Sequence, residues 1–436
     1  MDQQSRRLIL SRLLILNGTL MDPKSGKNGK ADLILSDGKV ESILPEGGAV
    51  AQPGDEVIDA AGLIVAPGLV DVHVHFRDPG FTDKEDILTG AAAAAKGGYT
   101  SVVMMGNTNP KCDNPETLEY MQKKASETPI HIYVTCNATL GMKGEEISDI
   151  AGLHKAGAVG VTDDGLPIID HGILTQVFLK AAQCGIPVSL HEEDPALISD
   201  NGINRGRASE HFGIGGSPAE AEVSLIKRDL NIADGTGARV DIQHISTAGG
   251  VEAVREAKKK GLDVHAEATP HHFTLTEDAV ITYGTNAKMN PPLRTEADRL
   301  AVIEGLKDGT IDMIATDHAP HTSEEKARPI TKAPSGIIGL ETALALGITE
   351  LVEKDHMSMM DLIRLMTYGP SQVYDLDAGY IAEGGPGDII LIDPDAEWTV
   401  EDNFASKAHN TPFIGWRLKG MNKMTIASGK IVYKAE

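Results

Sequence analysis

Eight short apolar segments recur through the middle of this chain, each followed by a stretch of helical pattern, and this alternation restricts the fold more than any other feature. The strand-like segments are 69–75, 100–105, 130–135, 158–162, 187–191, 239–244, 263–267 and 311–316. Helical patterns fill the intervals, for example 85–96, 172–184, 218–234, 249–260 and 297–307. Parallel strands alternating with covering helices are the signature of α/β folds. Eight such units predict a (β/α)8 barrel of the TIM type, with a doubly wound open sheet as the alternative. Both flanks are β-rich instead. In 13–64, apolar runs alternate with turns at Asn17-Gly18 and Asp37-Gly38, and 388–393 and 424–433 repeat that style. The two ends are expected to combine into one small β domain, residues 1–67 with 372–436, beside a catalytic barrel over 68–371.

Composition narrows the classes of function. The chain has 436 residues, 41% hydrophobic and 24% charged, which is the balance of a soluble globular protein. Lys+Arg 40 against Asp+Glu 63 leaves a net charge of −23, which excludes long-range attraction to nucleic acid or to an anionic membrane. A small anionic substrate stays open, because local charge at a site outweighs the net charge. Cys112, Cys136 and Cys184 are odd in number and lack metal-type spacing, so no disulfide framework is expected and a reducing cytoplasm fits. Arg12 interrupts the apolar run within 6–16 and no small-residue cleavage site follows. That segment therefore reads as a first strand and turn, not as a leader. No run reaches the ~18 apolar residues that a membrane span needs.

Residues 71–80, Asp-Val-His-Val-His-Phe-Arg-Asp-Pro-Gly, end the first barrel strand. Side chains at i and i+2 of a strand share a face, so His73 and His75 present two imidazoles side by side, a seat for a transition metal. If the strand persists, Arg77 follows on that face as a cation able to fork onto a carboxylate. Asp163-Asp164-Gly165 follows strand four, His191 ends strand five, His244 ends strand six and Asp317 follows strand eight. In a barrel these ends meet on one rim, where catalytic residues sit. Four histidines and two aspartates there suffice for two adjacent metal sites, one bridged by a carboxylate. Metals roughly 3.5–4 Å apart activate water and polarise a carbonyl together. The remaining histidines are expected to be structural or exposed, with His271-His272 supporting or packing beside the site. Segments 200–217 and 322–335 are candidate loops over the rim or plain surface excursions.

The chain resembles the dihydroorotases of class I, within the amidohydrolase superfamily, over nearly its whole length. The resemblance rests on the segment through Gly80, Asn107-Thr108, Thr162-Asp163-Asp164-Gly165, His191-Glu192 and His244-Ile245-Ser246-Thr247. It continues through Lys288-Met289-Asn290-Pro291-Pro292-Leu293-Arg294, Ala315-Thr316-Asp317-His318-Ala319-Pro320-His321 and Gly339-Leu340-Glu341-Thr342. Gly106 stands where proline is common, and Phe81-Thr82-Asp83 alters the continuation after Gly80; neither removes a ligand. The resemblance implies two zinc ions, one on His73, His75 and Asp317, the other on His191 and His244, with Asp164 as the bridge. No lysine lies between Ala156 and Ile173 to be carboxylated in its place, whereas Asp163 is a rival that spacing does not separate. It further implies that Arg77, Asn107 and His321 hold a substrate carboxylate and that Asn290 contacts the ring. His75 also faces the substrate, Ser335 and Gly336 line its pocket, and Asp317 carries the proton. The activity implied is interconversion of L-dihydroorotate and N-carbamoyl-L-aspartate in pyrimidine synthesis. A hydantoinase or allantoinase activity, or a subunit active only with aspartate carbamoyltransferase, is the alternative. A homodimer and a partnership with aspartate carbamoyltransferase are the implied assemblies.

Overall fold

A computed structural model describes residues 12–435, so the part of the 6–16 reading that falls on residues 6–11 lies outside the described residues. Among the described residues five strands come first: β1 (Leu13–Asp22), β2 (Lys27–Ser36), β3 (Lys39–Pro45), β4 (Glu56–Asp59) and β5 (Ile64–Pro67). Seven parallel strands follow, namely β6 (Leu69–Val74), β7 (Tyr99–Met104), β8 (His131–Val134), β9 (Val188–Leu190), β10 (Val240–Ile242), β11 (Val264–Ala268) and β12 (Met313–Ile314). The chain ends with β13 (Ile389–Thr399), β14 (Arg417–Ala427) and β15 (Lys430–Lys434).

The parallel strands form two arcs, β6-β7-β8 and β9-β10-β11-β12. Val161 joins them on one side, bridging in parallel to Cys136 and to Val188, and Val74 meets His318 on the other. The result is a closed barrel of eight staves. Two staves are shorter than their sequence patterns predict. Segment 158–162 contributes only the bridge at Val161, because Gly160 offers no side chain to pack and its place is crowded by the Tyr374 ring, 3.0 Å from where a Cβ would stand. Segment 311–316 shrinks to Met313–Ile314, because the Asp71 carboxylate takes the Thr316 N–H at 3.1 Å and its hydroxyl at 2.6 Å.

Helices wrap the outside. Ile87–Gly97 starts where Asp86 caps the Leu88 and Thr89 N–H groups, each at 2.9 Å, and its buried Ala91, Ala93, Ala94 and Ala95 allow close approach to the strands. Asp170 and Thr247 cap His171–Cys184 and Ala248–Lys259 in the same way. Inside, Val70, Val72, Val103, Met105, Met313 and Ala315 form an apolar cluster with Val373 and Tyr374. Arg239, just before β10, donates to the Val373 carbonyl at 2.9 Å, so this plug lies at the N-terminal ends of the strands. The opposite rim is left for polar chemistry.

The two chain ends build one sheet in the order β15-β14-β13-β5-β1-β2-β3, with β4 beside β1. Ile389–Ile392 of β13 pairs antiparallel with Ile64–Pro67, which joins the end of the chain to its beginning. Among the described residues no helix is long and apolar enough to cross a membrane.

Candidate metal centre and its surroundings

Six donor side chains converge on the C-terminal rim. Strand β6 ends at Val74, but the His75 N–H still bonds to the His318 carbonyl at 2.9 Å, so His73 and His75 remain on extended backbone. Their rings are 5.3 Å apart between centroids. His73, His75 and Asp317 place donor atoms within 4.8 Å of one another, and so do His73, Asp164 and His244. His191 adjoins the second group, with Nδ1 2.9 Å from His244 Nε2 and 3.7 Å from Asp164 Oδ1. All six residues are at most 6% exposed.

Burying two carboxylates and four imidazoles side by side is costly unless the charges are matched. Burial would favour a neutral His73, yet Glu267, Asp317 and Asp164 around it push its pKa well above the usual range. Asp164 is held well below the carboxylate range against its burial, by His73 and His75. His244 goes the other way, pushed well down by burial and by His191 and His73. Two ring nitrogens, His73 Nε2 and His244 Nδ1, are buried with no hydrogen-bond partner. Unpaired imidazole nitrogens next to carboxylate oxygens are a donor set that suits a divalent metal of intermediate softness. The residues fit the group.

The two adjacent aspartates part company. Asp163 accepts from the Ala138 N–H at 2.8 Å, the Thr139 N–H at 3.2 Å and the Thr139 hydroxyl, and burial pushes it up to about 6. Asp164 faces the histidines instead, with oxygens 3.5 Å from His73 Nε2 and 3.4 Å from His75 Nε2. Asp317 Oδ1 lies 2.9 Å from His75 Nε2, and both Asp317 and His244 have left-handed backbone, φ 45° and 32°. Such conformations are uncommon for residues other than glycine.

The expected substrate contacts surround this cluster. Arg77 departs from the strand face that spacing predicts. Once β6 has ended, its backbone turns left-handed, φ 60°, and the half-buried guanidinium reaches the Pro320 carbonyl at 3.4 Å. Asn107 donates to Asp164 Oδ2 at 2.9 Å and faces His75 Nδ1 through its carbonyl at 3.1 Å. Asn290 donates to His191 Nε2 at 3.0 Å. His321 reaches the Ser335 carbonyl at 2.9 Å and Glu325 at 3.2 Å, so its ring is bound into the loop that carries Ser335 and Gly336. His272 is bonded to Thr269 and to the Pro291 carbonyl, in keeping with a supporting role. Sequence reading missed Glu267, 2.9 Å from His73 Nδ1, since a buried strand glutamate carries no spacing signal.

A family model described as dihydro-orotase-like matches residues 62–249. The dihydroorotase of Clostridioides difficile (strain 630) is 51% identical over 97% of this chain and 100% of its own. That of Streptococcus pneumoniae serotype 4 is 50% identical, again over 97% and 100%. Among solved structures, an L-hydantoinase (dihydropyrimidinase) from Arthrobacter aurescens superposes with a TM-score of 0.87 at 26% identity, covering 98% of this chain and 96% of that one. With its barrel, its rim of donors and this near full-length likeness, the chain belongs to the dihydroorotase family.

Proposed function

We propose that this protein is a zinc-dependent dihydroorotase that interconverts L-dihydroorotate and N-carbamoyl-L-aspartate in pyrimidine synthesis. The observation that carries the reading is the full-length likeness to dihydroorotases in a chain whose six donors all meet at one rim. His73, His75 and Asp317 would hold one metal and His191 and His244 a second, with Asp164 between them; the first donor group supports the first site, and the closeness of His191 to His244 and Asp164 supports the second. A divalent metal bound there supplies an activated water and polarises the ring carbonyl.

The remaining work belongs to the chain's own residues. Asp317, 2.9 Å from His75, would accept a proton from the attacking water and return it to the leaving ring nitrogen. Arg77, with Asn107 and His321 in the same quarter, would grip the substrate carboxylate and so orient the scissile bond. Asn290 would contact the ring, and Ser335 and Gly336 would line the pocket.

The hydantoinase alternative draws on the Arthrobacter likeness, but hydantoin itself has no carboxylate for Arg77 to bind. Zinc-replete protein assayed with L-dihydroorotate and with hydantoin separates the two: preference for dihydroorotate is expected, and equal turnover of both overturns the reading. A cytoplasmic location belongs to the same reading. So do a dimer and an association with aspartate carbamoyltransferase, which sedimentation with and without that enzyme would test. We also propose a composite domain of residues 1–67 and 372–436 beside a 68–371 barrel, supported by the sheet that β1–β5 and β13–β15 share.

A further inference from the structure

A buried line of polar groups runs from His73 into the barrel. His73 Nδ1 lies 2.9 Å from Glu267 Oε2, and neither side chain has any exposure. The same oxygen accepts the His244 N–H at 3.3 Å. The second Glu267 oxygen has no donor, and neither has Asp241 Oδ1, although both are buried and the two carboxyl groups bear on each other. Asp241 Oδ2 is taken by the Ser189 hydroxyl at 2.9 Å and the Tyr374 hydroxyl at 3.1 Å.

Two carboxylates cannot both stay ionised at such a place. Glu267 already serves as the acceptor toward His73 Nδ1 and the His244 N–H, which leaves Asp241, pushed well above the usual carboxylate range by burial and by Glu267, as the carboxyl group that carries a proton. Ser189 and Tyr374 are both donors to Oδ2, which leaves Oδ1 as the protonated oxygen. The acceptor lacking a donor beside it is the free Glu267 oxygen. We propose that Asp241 donates to Glu267, and that Glu267, held in this way, accepts the His73 Nδ1–H and so leaves His73 Nε2 as the metal-binding nitrogen. The geometry agrees: His73 Nε2 is the unpartnered atom, 3.5 Å from both Asp164 Oδ1 and Asp317 Oδ1. Glu267 and Asp241 are therefore positioning residues. They fix the tautomer and the ring plane of His73, and the charge on Glu267 makes the imidazole a stronger ligand. The inference rests on His73 being a metal ligand.

Zinc affinity, measured by competition with a chromophoric chelator, tests it in wild type, Glu267→Ala, Glu267→Gln, Asp241→Asn and Asp241→Ala. Loss of the acceptor in Glu267→Ala is expected to weaken binding about 10–100-fold, with Glu267→Gln between it and wild type. Asp241→Asn should stay within about threefold of wild type, because its amide N–H replaces the carboxyl O–H toward Glu267 while its carbonyl still accepts from Ser189 and Tyr374. Asp241→Ala should lose about tenfold. Histidine-labelled, zinc-loaded wild type should show His73 protonated at Nδ1 in its nitrogen NMR spectrum. That measurement and the Asp241 pair decide the matter even if Glu267→Ala does not fold. Zinc bound equally by wild type and folded Glu267→Ala, Asp241→Asn as impaired as Asp241→Ala, or His73 bound to metal through Nδ1 would each overturn this inference alone. Wild type that binds no zinc would overturn the ligand role of His73 and the inference with it.

Discussion

At the scale of single residues, the site turns on where protons and lone pairs sit. Asp317 lies in the donor group with Oδ1 2.9 Å from His75 Nε2, and under the proposed function one carboxylate would serve both ligation and proton transfer. Asp317→Asn preserves shape and one metal-facing oxygen but cannot accept a proton. We expect kcat to fall on the order of 10²–10⁴-fold with metal partly retained; substantial turnover by a zinc-loaded variant would remove the proton role. The two adjacent aspartates make a second test. Asp163 spends its oxygens on Ala138 and Thr139, whereas Asp164 lies among His73, His75 and His191. Asp164→Ala should therefore lower metal content more than Asp163→Ala. Reconstitution with zinc should also be indifferent to bicarbonate, since no carboxylated lysine is needed. The reverse ranking, or a bicarbonate requirement, would exclude Asp164 as the bridge.

Elements act by holding these residues still. The loop bearing Ser335 and Gly336 is tied down by two buried lysines. Lys288 donates to the Ile330 and Ala333 carbonyls, both at 2.8 Å, and Lys326 to those of Pro334 and Gly336 at 3.1 and 3.0 Å. Gly336 has φ 152°, and a Cβ there would stand 2.5 Å from the Ala319 carbonyl oxygen and 2.7 Å from the His321 ring. Gly336→Ala should displace the loop at a cost of about 1–3 kcal/mol and lower kcat/KM for dihydroorotate while metal content stays normal; unchanged kinetics would show that the loop does not shape the pocket. Farther from the site, Asp312 ties helix Ala248–Lys259 to β11, accepting from Lys258 at 2.7 Å and from the Ala266 N–H at 3.1 Å. Burial alone would raise its pKa, but His265 and Lys258 outweigh burial and hold it below its usual 3.8. The stabilisation is thus complete above the unfolded value and is lost as pH falls through the lower folded value. Asp312→Asn should cost about 1 kcal/mol in urea unfolding at pH 7, with the gap to wild type closing toward pH 3. A gap that persists or widens in acid would contradict the ion pair.

For the molecule as a whole, the donor cluster is a liability that metal binding would relieve. Six ionisable side chains at most 6% exposed crowd one rim, and two of their nitrogens lack partners. A ligand that binds only the folded state stabilises it by RT ln(1 + [L]/Kd), about 4 kcal/mol at a thousandfold excess over Kd. Stripping metal with a chelator should therefore lower Tm by several degrees, and added zinc should restore it. A Tm indifferent to both would argue that the cluster stands without metal. The sheet shared by the chain ends bears on the barrel as well: the Thr425 hydroxyl donates to the Ala95 carbonyl at 2.7 Å and Asn422 to that of Lys96 at 3.1 Å, holding β14 against the first barrel helix.

Much of this was legible in the chain itself. Period-two apolar runs alternating with helical stretches are local patterns, so they reported the barrel. Parallel strands in a barrel all end at one rim, so the place of His73, His75, His191, His244 and Asp317 at strand ends reported that these side chains converge. Other features depend on partners distant in sequence. The shortening of the eighth stave comes from Asp71, 245 positions away. The division of labour between Asp163 and Asp164 comes from the backbone of residues 138 and 139. Arg77 leaves the strand face because its backbone turns left-handed, which residue spacing does not encode. Glu267 meets His73 across 194 residues. Periodicity encodes which face a side chain takes along its own segment, and only closure of the barrel decides what that face meets.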